Sequence, residues 1–102
     1  MSEINLGIIG GGQLGSMLAV ACKKLDIKTT VYCDDIDAPA QNFCNDFIFG
    51  EYNNQKKILE FVSKVDLITY EFENIPYETL NEINKLKPVL PKPSVNRLIQ
   101  HR

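Results

Sequence analysis

The hydrophobic and polar residues of this chain follow two alternating patterns. Apolar and β-branched runs of strand length occur at residues 4–9, 28–33, 46–50 and 65–70. Between the first two runs, apolar residues recur every three or four positions, which is typical of one face of a helix. That face consists of Leu14, Met17, Leu18, Ala21, Cys22 and Leu25. We expect it to lie on a sheet.

The rest of the chain continues the alternation. Asn53 and Asn54 can cap a second helix. Pro76 predicts the start of a third helix, whose inward face would carry Leu80, Ile83 and Leu86. A brief strand at residues 89–90 and a short helix after residue 93 complete the pattern. The sequence therefore predicts an α/β, Rossmann-like three-layer sandwich with a mainly parallel sheet of about five strands, as a single domain over residues 1–102.

The strongest motif is the glycine array at residues 10–15, GGGQLG, which follows the first strand and opens the first helix. Glycines there permit a tight turn and a close approach to a ligand, and the N–H groups of the helix N-terminus favour an anion. Gly11 makes a third consecutive glycine beyond the needs of packing, so we expect ligand contact at Gly11 and Gly12. The amide of Gln13 is within reach of the same ligand.

Acidic and polar residues follow two of the predicted strands. Cys33, Asp34 and Asp35 end the second strand, and Asp34 or Asp35 stands about 20 residues after the glycines, where a dinucleotide site holds a ribose hydroxyl. Glu71 and Glu73 end the fourth strand and point the same way if the backbone is extended there. Parallel strands bring their carboxyl ends to one edge of the sheet, so the sequence predicts a ligand site at this edge.

Composition narrows the class of protein. The net charge is −2, the pI is about 5.3, and there is no cluster of basic residues, so we expect no nucleic-acid partner. The three cysteines have no metal-binding or redox spacing, which indicates reduced thiols and a cytoplasmic protein. No apolar run approaches the ~20 residues of a membrane span, so we expect no membrane association.

Four segments together resemble a known family. Residues 6–15 (LGIIGGGQLG), 37–40 (DAPA), 49–53 (FGEYN) and 67–75 (LITYEFENI) are similar, in order and spacing, to the N-terminal domain of the 5-(carboxyamino)imidazole ribonucleotide synthases. These are ATP-grasp ligases of de novo purine biosynthesis. The glycine array by itself also resembles formate-dependent glycinamide ribonucleotide transformylase and biotin carboxylase-like domains.

The resemblance implies a function and a set of site residues. ATP and bicarbonate would give carboxyphosphate, whose carboxyl group passes to the amine of aminoimidazole ribonucleotide. Gly12, Gln13 and Leu14 would lie against the ribonucleotide, and Glu71, with Glu73 and Asn74 beside it, would help to hold it. Arg102 would contact the phosphates of ATP. No catalytic residue or metal ligand is expected in this domain, which should be inactive alone.

The resemblance also carries departures and further expectations. Ser16 stands where the family commonly has arginine, and Cys33 stands where it tends to have aspartate. ATP and Mg²⁺ are expected to bind mainly to an ATP-grasp domain that, like the C-terminal domain, lies outside these residues, and the full-length enzyme is expected to be a homodimer. The alternative is a stand-alone nucleotide- or dinucleotide-binding Rossmann module that uses Asp34 or Asp35.

Overall fold

The computed structural model describes residues 4–70 and 75–90, in which strands and helices alternate. The strands are β1 (Asn5–Ile9), β2 (Lys28–Cys33), β3 (Asp46–Phe49) and β4 (Leu67–Tyr70). The helices are α1 (Gln13–Lys24), α2 (Gln55–Lys64) and α3 (Tyr77–Asn84), with a short 3₁₀ helix at Pro39–Asn42 between β2 and β3. No helix in this part of the chain is long and apolar enough to cross a membrane.

The four strands form one parallel sheet in the order β3-β2-β1-β4. Ile9 at the end of β1 lies between Tyr32 of β2 and Tyr70 of β4, so three strands end at the same level. This places the glycine turn, which follows Ile9, at the carboxyl edge of the sheet between the ends of its neighbours. The parallel α/β architecture predicted from the sequence is confirmed.

The sheet has four strands in the described residues, rather than about five. Val89 forms a single parallel bridge with Ile68 of β4, at the position where a fifth strand was expected. The N–H of Ile68 donates to the carbonyl of Pro88 (3.0 Å), and the N–H of Leu90 donates to the carbonyl of Ile68 (2.9 Å). Pro88 has no N–H to donate to β4, which limits the pairing on that side of the bridge.

Alternate residues of each strand face two separate cores, which produces the three layers. Ile8 and Val31 pack in one core with Ala38 and Ala40, on the side of α1 and the 3₁₀ helix. The other core lies under α2 and α3, and its largest buried side chains include Ile9, Tyr32, Phe61, Ile68, Tyr70, Leu80 and Ile83. The inner strands are buried on both faces, as expected for a parallel sheet.

The buried face of α1 agrees with the predicted one at Cys22 and at the partly buried Leu18, but differs from it elsewhere. α1 buries Gly15, Ala19 and Cys22, whereas Met17 is 60% exposed and Leu25 is 71% exposed. Small residues let the helix lie close to the sheet, and they form a weaker hydrophobic signal than the larger side chains on the outer face. The inward position predicted for Leu86 was also wrong. α3 ends at Asn84, so Leu86 lies beyond its last turn and is 54% exposed.

Candidate functional site

The turn after β1 depends on a left-handed glycine. Gly10 has a φ of 104°, a region that residues with a Cβ rarely adopt. Its N–H donates to the carbonyl of Tyr32 at 2.8 Å, which continues the β1–β2 hydrogen bonding beyond the end of β1. The chain therefore turns sharply above the sheet and enters α1 only three residues later.

Gly11 packs against the loop that follows β2. A Cβ on Gly11 would lie 2.7 Å from the Cβ of Ala38 and 3.3 Å from both the Cβ and the Sγ of Cys33. The carbonyl of Gly11 also accepts a hydrogen bond from the N–H of Ala40 at 2.9 Å. The expectation that Gly11 exceeds the needs of packing was therefore wrong, because the contact with Cys33 and Ala38 leaves no room for a side chain.

The N-terminus of α1 opens beside this turn. Gly12 is the N-cap, no side-chain hydrogen bond caps the helix, and its first turn contains no acidic residue. Gln13 and Leu14 are both exposed there. The hydroxyl of Ser16 instead donates back to the carbonyl of Gly12 at 2.9 Å. Backbone N–H groups at a helix start that lacks a side-chain cap can bind an anionic or polar ligand.

The end of β2 forms the second side of the candidate site. Cys33 is buried, and Asp34 and Asp35 are exposed. Asp35 accepts the N–H of Asp37 at its Oδ1, 2.9 Å away, which closes a tight turn. Asp34 lies between this turn and β2, and its side chain is exposed to solvent.

Tyr52, to which the sequence argument gave no role, adjoins the end of β2. Its ring centroid is 6.1 Å from that of Tyr32, and its carbonyl accepts the hydroxyl of Thr79 at 2.9 Å. Burial, and then the nearby Cys33 and Asp34 side chains, raise the pKa of the Tyr52 hydroxyl. The resemblance of residues 49–53 to the family motif was the signal in the sequence that could have pointed to Tyr52.

The remaining predicted site residues lie outside the described part of the chain. These are Glu71, Glu73, Asn74 and Arg102. Residue 71 directly follows Tyr70, which pairs with Ile9 of β1. Within residues 4–70 and 75–90, no group of three His, Cys, Asp or Glu side chains could hold a metal ion, and Cys22, Cys33 and Cys44 are free thiols.

The chain resembles known proteins along nearly its whole length. Residues 1–100 match the model of the ribonucleotide synthetase preATP-grasp domain. The chain is 38% identical over 97 residues to the bifunctional purine synthesis protein purC/E of Dictyostelium discoideum. It is 37% identical over 97 residues to the N5-carboxyaminoimidazole ribonucleotide synthase of Brucella melitensis. Each of these two alignments covers 95% of this chain.

Solved structures agree with the sequence comparison. The N5-carboxyaminoimidazole synthetase of Staphylococcus aureus, in complex with ADP, superposes with a TM-score of 0.88 at 33% identity over 97% of this chain. The chain spans only part of these proteins: 10% of the Dictyostelium protein, 27% of the Brucella protein and 28% of the Staphylococcus chain.

Proposed function

Since this chain belongs to the ribonucleotide synthetase preATP-grasp domain family, we propose that it is the substrate-binding domain of an ATP-dependent ligase of purine biosynthesis. The substrate would be aminoimidazole ribonucleotide, which the ligase would carboxylate with bicarbonate. The names of the relatives support this reaction, and their greater length supports a role as one domain of a larger enzyme. By itself the domain would bind without catalysing.

One observation carries the proposal: an α1 N-terminus without a side-chain cap opens beside the end of β2 at the carboxyl edge of a parallel sheet. In open α/β sheets, ligands bind at this edge, and a helix start supplies N–H donors for a phosphate or another polar group. The exposed amide of Gln13 adds a donor and an acceptor at the first helical position. Gly12 and Leu14 flank it and would complete the contact with the ribonucleotide.

The domain would contribute binding and orientation rather than bond making. In the proposed reaction, the γ-phosphoryl group of ATP passes to bicarbonate, and the amine of the ribonucleotide then attacks the carboxyl carbon while phosphate leaves. A ribonucleotide held at the α1 N-terminus would present its amine to that carboxyl group in a fixed geometry. Glu71, Glu73 and Asn74 are proposed as further substrate contacts, through hydrogen bonds to hydroxyl or amine groups.

ATP, Mg²⁺ and the assembly state belong to the whole enzyme. From the resemblance to the ATP-grasp ligases, we assign Mg²⁺ and most of the ATP contacts to a separate ATP-grasp domain. Arg102 is proposed as the one ATP contact of this chain. A homodimer of the full-length enzyme remains a prediction. We also propose a cytoplasmic location, because all three cysteines are free thiols.

A second candidate function rests on Asp34. This exposed carboxylate directly follows β2, about 20 residues after the glycines, at the position that holds a ribose hydroxyl in dinucleotide-binding domains. A stand-alone module that binds NAD would use the same turn with Asp34 or Asp35. Such a module would bind the dinucleotide tightly and show no preference for aminoimidazole ribonucleotide.

Calorimetric titration of the chain with aminoimidazole ribonucleotide and, separately, with NAD tests the proposal. We expect weak binding of the ribonucleotide and no binding of NAD. Gln13→Ala should weaken ribonucleotide binding about two- to tenfold, the range for one lost hydrogen bond. Gln55→Ala is the matched control, since Gln55 is also the first residue of its helix, α2. Tight NAD binding, or equal effects of the two substitutions, contradicts the proposed site.

A further inference from the structure

The first two glycines of the turn are held by backbone hydrogen bonds to neighbouring elements. The N–H of Gly10 donates to the carbonyl of Tyr32 at 2.8 Å, and the carbonyl of Gly11 accepts the N–H of Ala40 at 2.9 Å. Glycine has more backbone freedom than any other residue, so a run of glycines needs such bonds to keep one conformation. The third glycine, Gly12, is held in a different way.

The carbonyl of Gly12 accepts two hydrogen bonds from one residue. Ser16 donates to it from its backbone N–H and from its hydroxyl, each at 2.9 Å. The first is the ordinary bond of a helix, from a residue to the one four positions earlier. The second comes from the half-buried side chain. Two donors on one oxygen restrict the rotation of the peptide group between Gly12 and Gln13 more than the helix bond does alone.

This peptide group faces the candidate site at its other end. It also carries the N–H of Gln13, the first residue of α1. The N–H and C=O of a trans peptide point in opposite directions, and this C=O points along α1 towards Ser16. The N–H of Gln13 therefore points out of the start of the helix, where no acceptor of the helix itself can reach it. Hydrogen bonds to the carbonyl polarise the peptide group, which makes this N–H a stronger donor.

The stability of α1 does not explain the second bond. A serine hydroxyl that bonds back to the carbonyl four positions earlier slightly destabilises a helix, and alanine has the higher helix propensity. α2 contains a comparable bond in its last turn, where the hydroxyl of Ser63 donates to the carbonyl of Glu60 at 2.7 Å. Of these two bonds, only that of Ser16 holds a peptide group at the start of a helix beside the candidate site.

We propose that Ser16 is a positioning residue of the ribonucleotide site, whose hydroxyl fixes the peptide group between Gly12 and Gln13 so that the N–H of Gln13 donates to the ligand. Ser16 acts through this peptide group rather than by contact with the ligand. The role in ribonucleotide binding rests on the proposed function, whereas the fixed peptide group does not. A donor that is already oriented loses less conformational freedom when the ligand binds, which lowers the Kd.

Four substitutions in the 102-residue chain test this role. Ser16→Ala removes the hydroxyl. Ser16→Thr keeps it, whereas Ser16→Val has nearly the shape of threonine without the hydroxyl. Ser16 borders a surface groove with Met17, Val20 and Phe43, which leaves room for the added methyl group. Ser63→Ala is the matched control, because it removes a hydroxyl bond within a helix whose last turn lies away from the carboxyl edge of the sheet.

Calorimetry measures the Kd for aminoimidazole ribonucleotide, and NMR relaxation without ligand measures the order parameter of the Gln13 N–H. We expect Ser16→Ala and Ser16→Val to raise the Kd about two- to tenfold. They should also lower the order parameter of Gln13 from the ~0.85 of a rigid backbone, without a change in the middle of α1. Ser16→Thr and Ser63→Ala should leave both quantities near the wild-type values. The urea midpoint of Ser16→Ala should not fall below that of the wild type.

The combination of measurements separates the positioning role from a purely structural one. A higher Kd and a lower order parameter at Gln13, with no loss of stability in Ser16→Ala, support the proposal. An unchanged order parameter at Gln13, wild-type affinity in Ser16→Ala, equal effects of Ser63→Ala, or a Ser16→Thr variant that resembles Ser16→Val overturns it. If the wild-type chain does not bind the ribonucleotide, the proposed function fails, and the order parameter of Gln13 still decides whether Ser16 fixes the peptide group.

Discussion

The two consecutive glycines at the start of the turn are required for different reasons. Gly10 needs its backbone freedom, because its φ of 104° is unfavourable for any residue with a side chain. Gly11 needs the space, because Ala38 and Cys33 fill the position of a Cβ. A glycine array that resembles a single ligand-binding motif in the sequence therefore meets two separate structural requirements, one of backbone conformation at Gly10 and one of packing at Gly11.

The packing requirement at Gly11 predicts an energetic coupling between Gly11 and Ala38 in a double-mutant cycle. Gly11→Ala should lower the free energy of unfolding by about 1–3 kcal/mol, the usual cost of overpacking. The partner atom is the Cβ of Ala38, 2.7 Å from the new methyl group. Removing that atom in the double variant Gly11→Ala, Ala38→Gly should recover part of the loss.

Urea unfolding of the wild type, both single variants and the double variant gives the coupling energy between the two positions. We expect a favourable coupling of about 0.5 kcal/mol or more, since residues in direct contact are not additive. Strict additivity would show that Gly11 is not limited by Ala38.

A buried tyrosine gives the unfolding free energy a pH dependence. Burial, and then the charges of Glu51 and Asp34, raise the pKa of Tyr32 from 10.0 to about 12. Between these values the unfolded chain loses the phenolic proton while the folded chain keeps it. The contribution of Tyr32 is therefore fully present below pH 10 and is lost as the pH rises towards 12. Urea unfolding from pH 9 upwards should show this fall, and it should be reduced in Tyr32→Phe.

At the scale of elements, the helix starts differ in how they satisfy their free N–H groups. Asn54 caps α2 by accepting the N–H of Lys57 at 3.2 Å, whereas α1 has no side-chain cap. Asn54→Ala should lower the free energy of unfolding by about 1 kcal/mol. The exposed neighbour Asn53 is the control, and Asn53→Ala should cost less than about 0.5 kcal/mol in the same thermal denaturation experiment. Equal losses at the two positions contradict the assignment of the cap.

Two apolar residues near the end of α3 differ in burial, and substitutions at them should differ in cost. Ile83 is 2% exposed and Leu86, beyond the last turn, is 54% exposed. Ile83→Val should cost about 0.5–1.5 kcal/mol, because one buried methylene group is lost. Leu86→Val removes the same number of atoms at the surface and should cost less than about 0.5 kcal/mol. If chemical denaturation gives the larger loss of unfolding free energy for Leu86→Val, Leu86 faces the core, as the sequence predicted.

Periodicity predicts the type and order of the elements better than their orientation. The order of strands and helices could be predicted because each run has a clear length and spacing. The orientation of α1 could not be predicted, since Met17 and Leu25 face outward and the buried residues of the helix are Gly15, Ala19 and Cys22. Small residues contribute little to a hydrophobic pattern, yet they are the residues that let a helix pack close to a sheet.

The location of the candidate site could be predicted from the sequence, but the contacts between its residues could not. Parallel topology alone brings the glycine turn and the end of β2 to one edge, so the sequence was sufficient to place Gly12, Gln13 and Asp34 there. The contacts of Tyr52 with Tyr32 and of Thr79 with Tyr52 join separate elements, and they depend on distances that no local pattern encodes. The same is true of the contact between Gly11 and Ala38.

At the scale of the whole molecule, the sheet order predicts a gradient of stability. β1 has a paired strand on each side, and Ile8 and Ile9 are 0% and 1% exposed. β3 pairs on one side only in the described part of the sheet, and Phe49 at its end is 39% exposed. Local opening needs less free energy where fewer contacts are broken, so the amides of β3 should exchange faster than those of β1.

Native-state hydrogen exchange at low denaturant measures this gradient. We expect the β1 amides to exchange only through global unfolding, with a steep dependence on urea, and the β3 amides to show an additional opening that is insensitive to urea. The β2 amides serve as the internal reference, because β2 lies between the two strands. Identical urea dependence in all three strands would mean that the sheet opens only as one unit. The end of β2, and with it Asp34, would then be as rigid as the centre of the sheet.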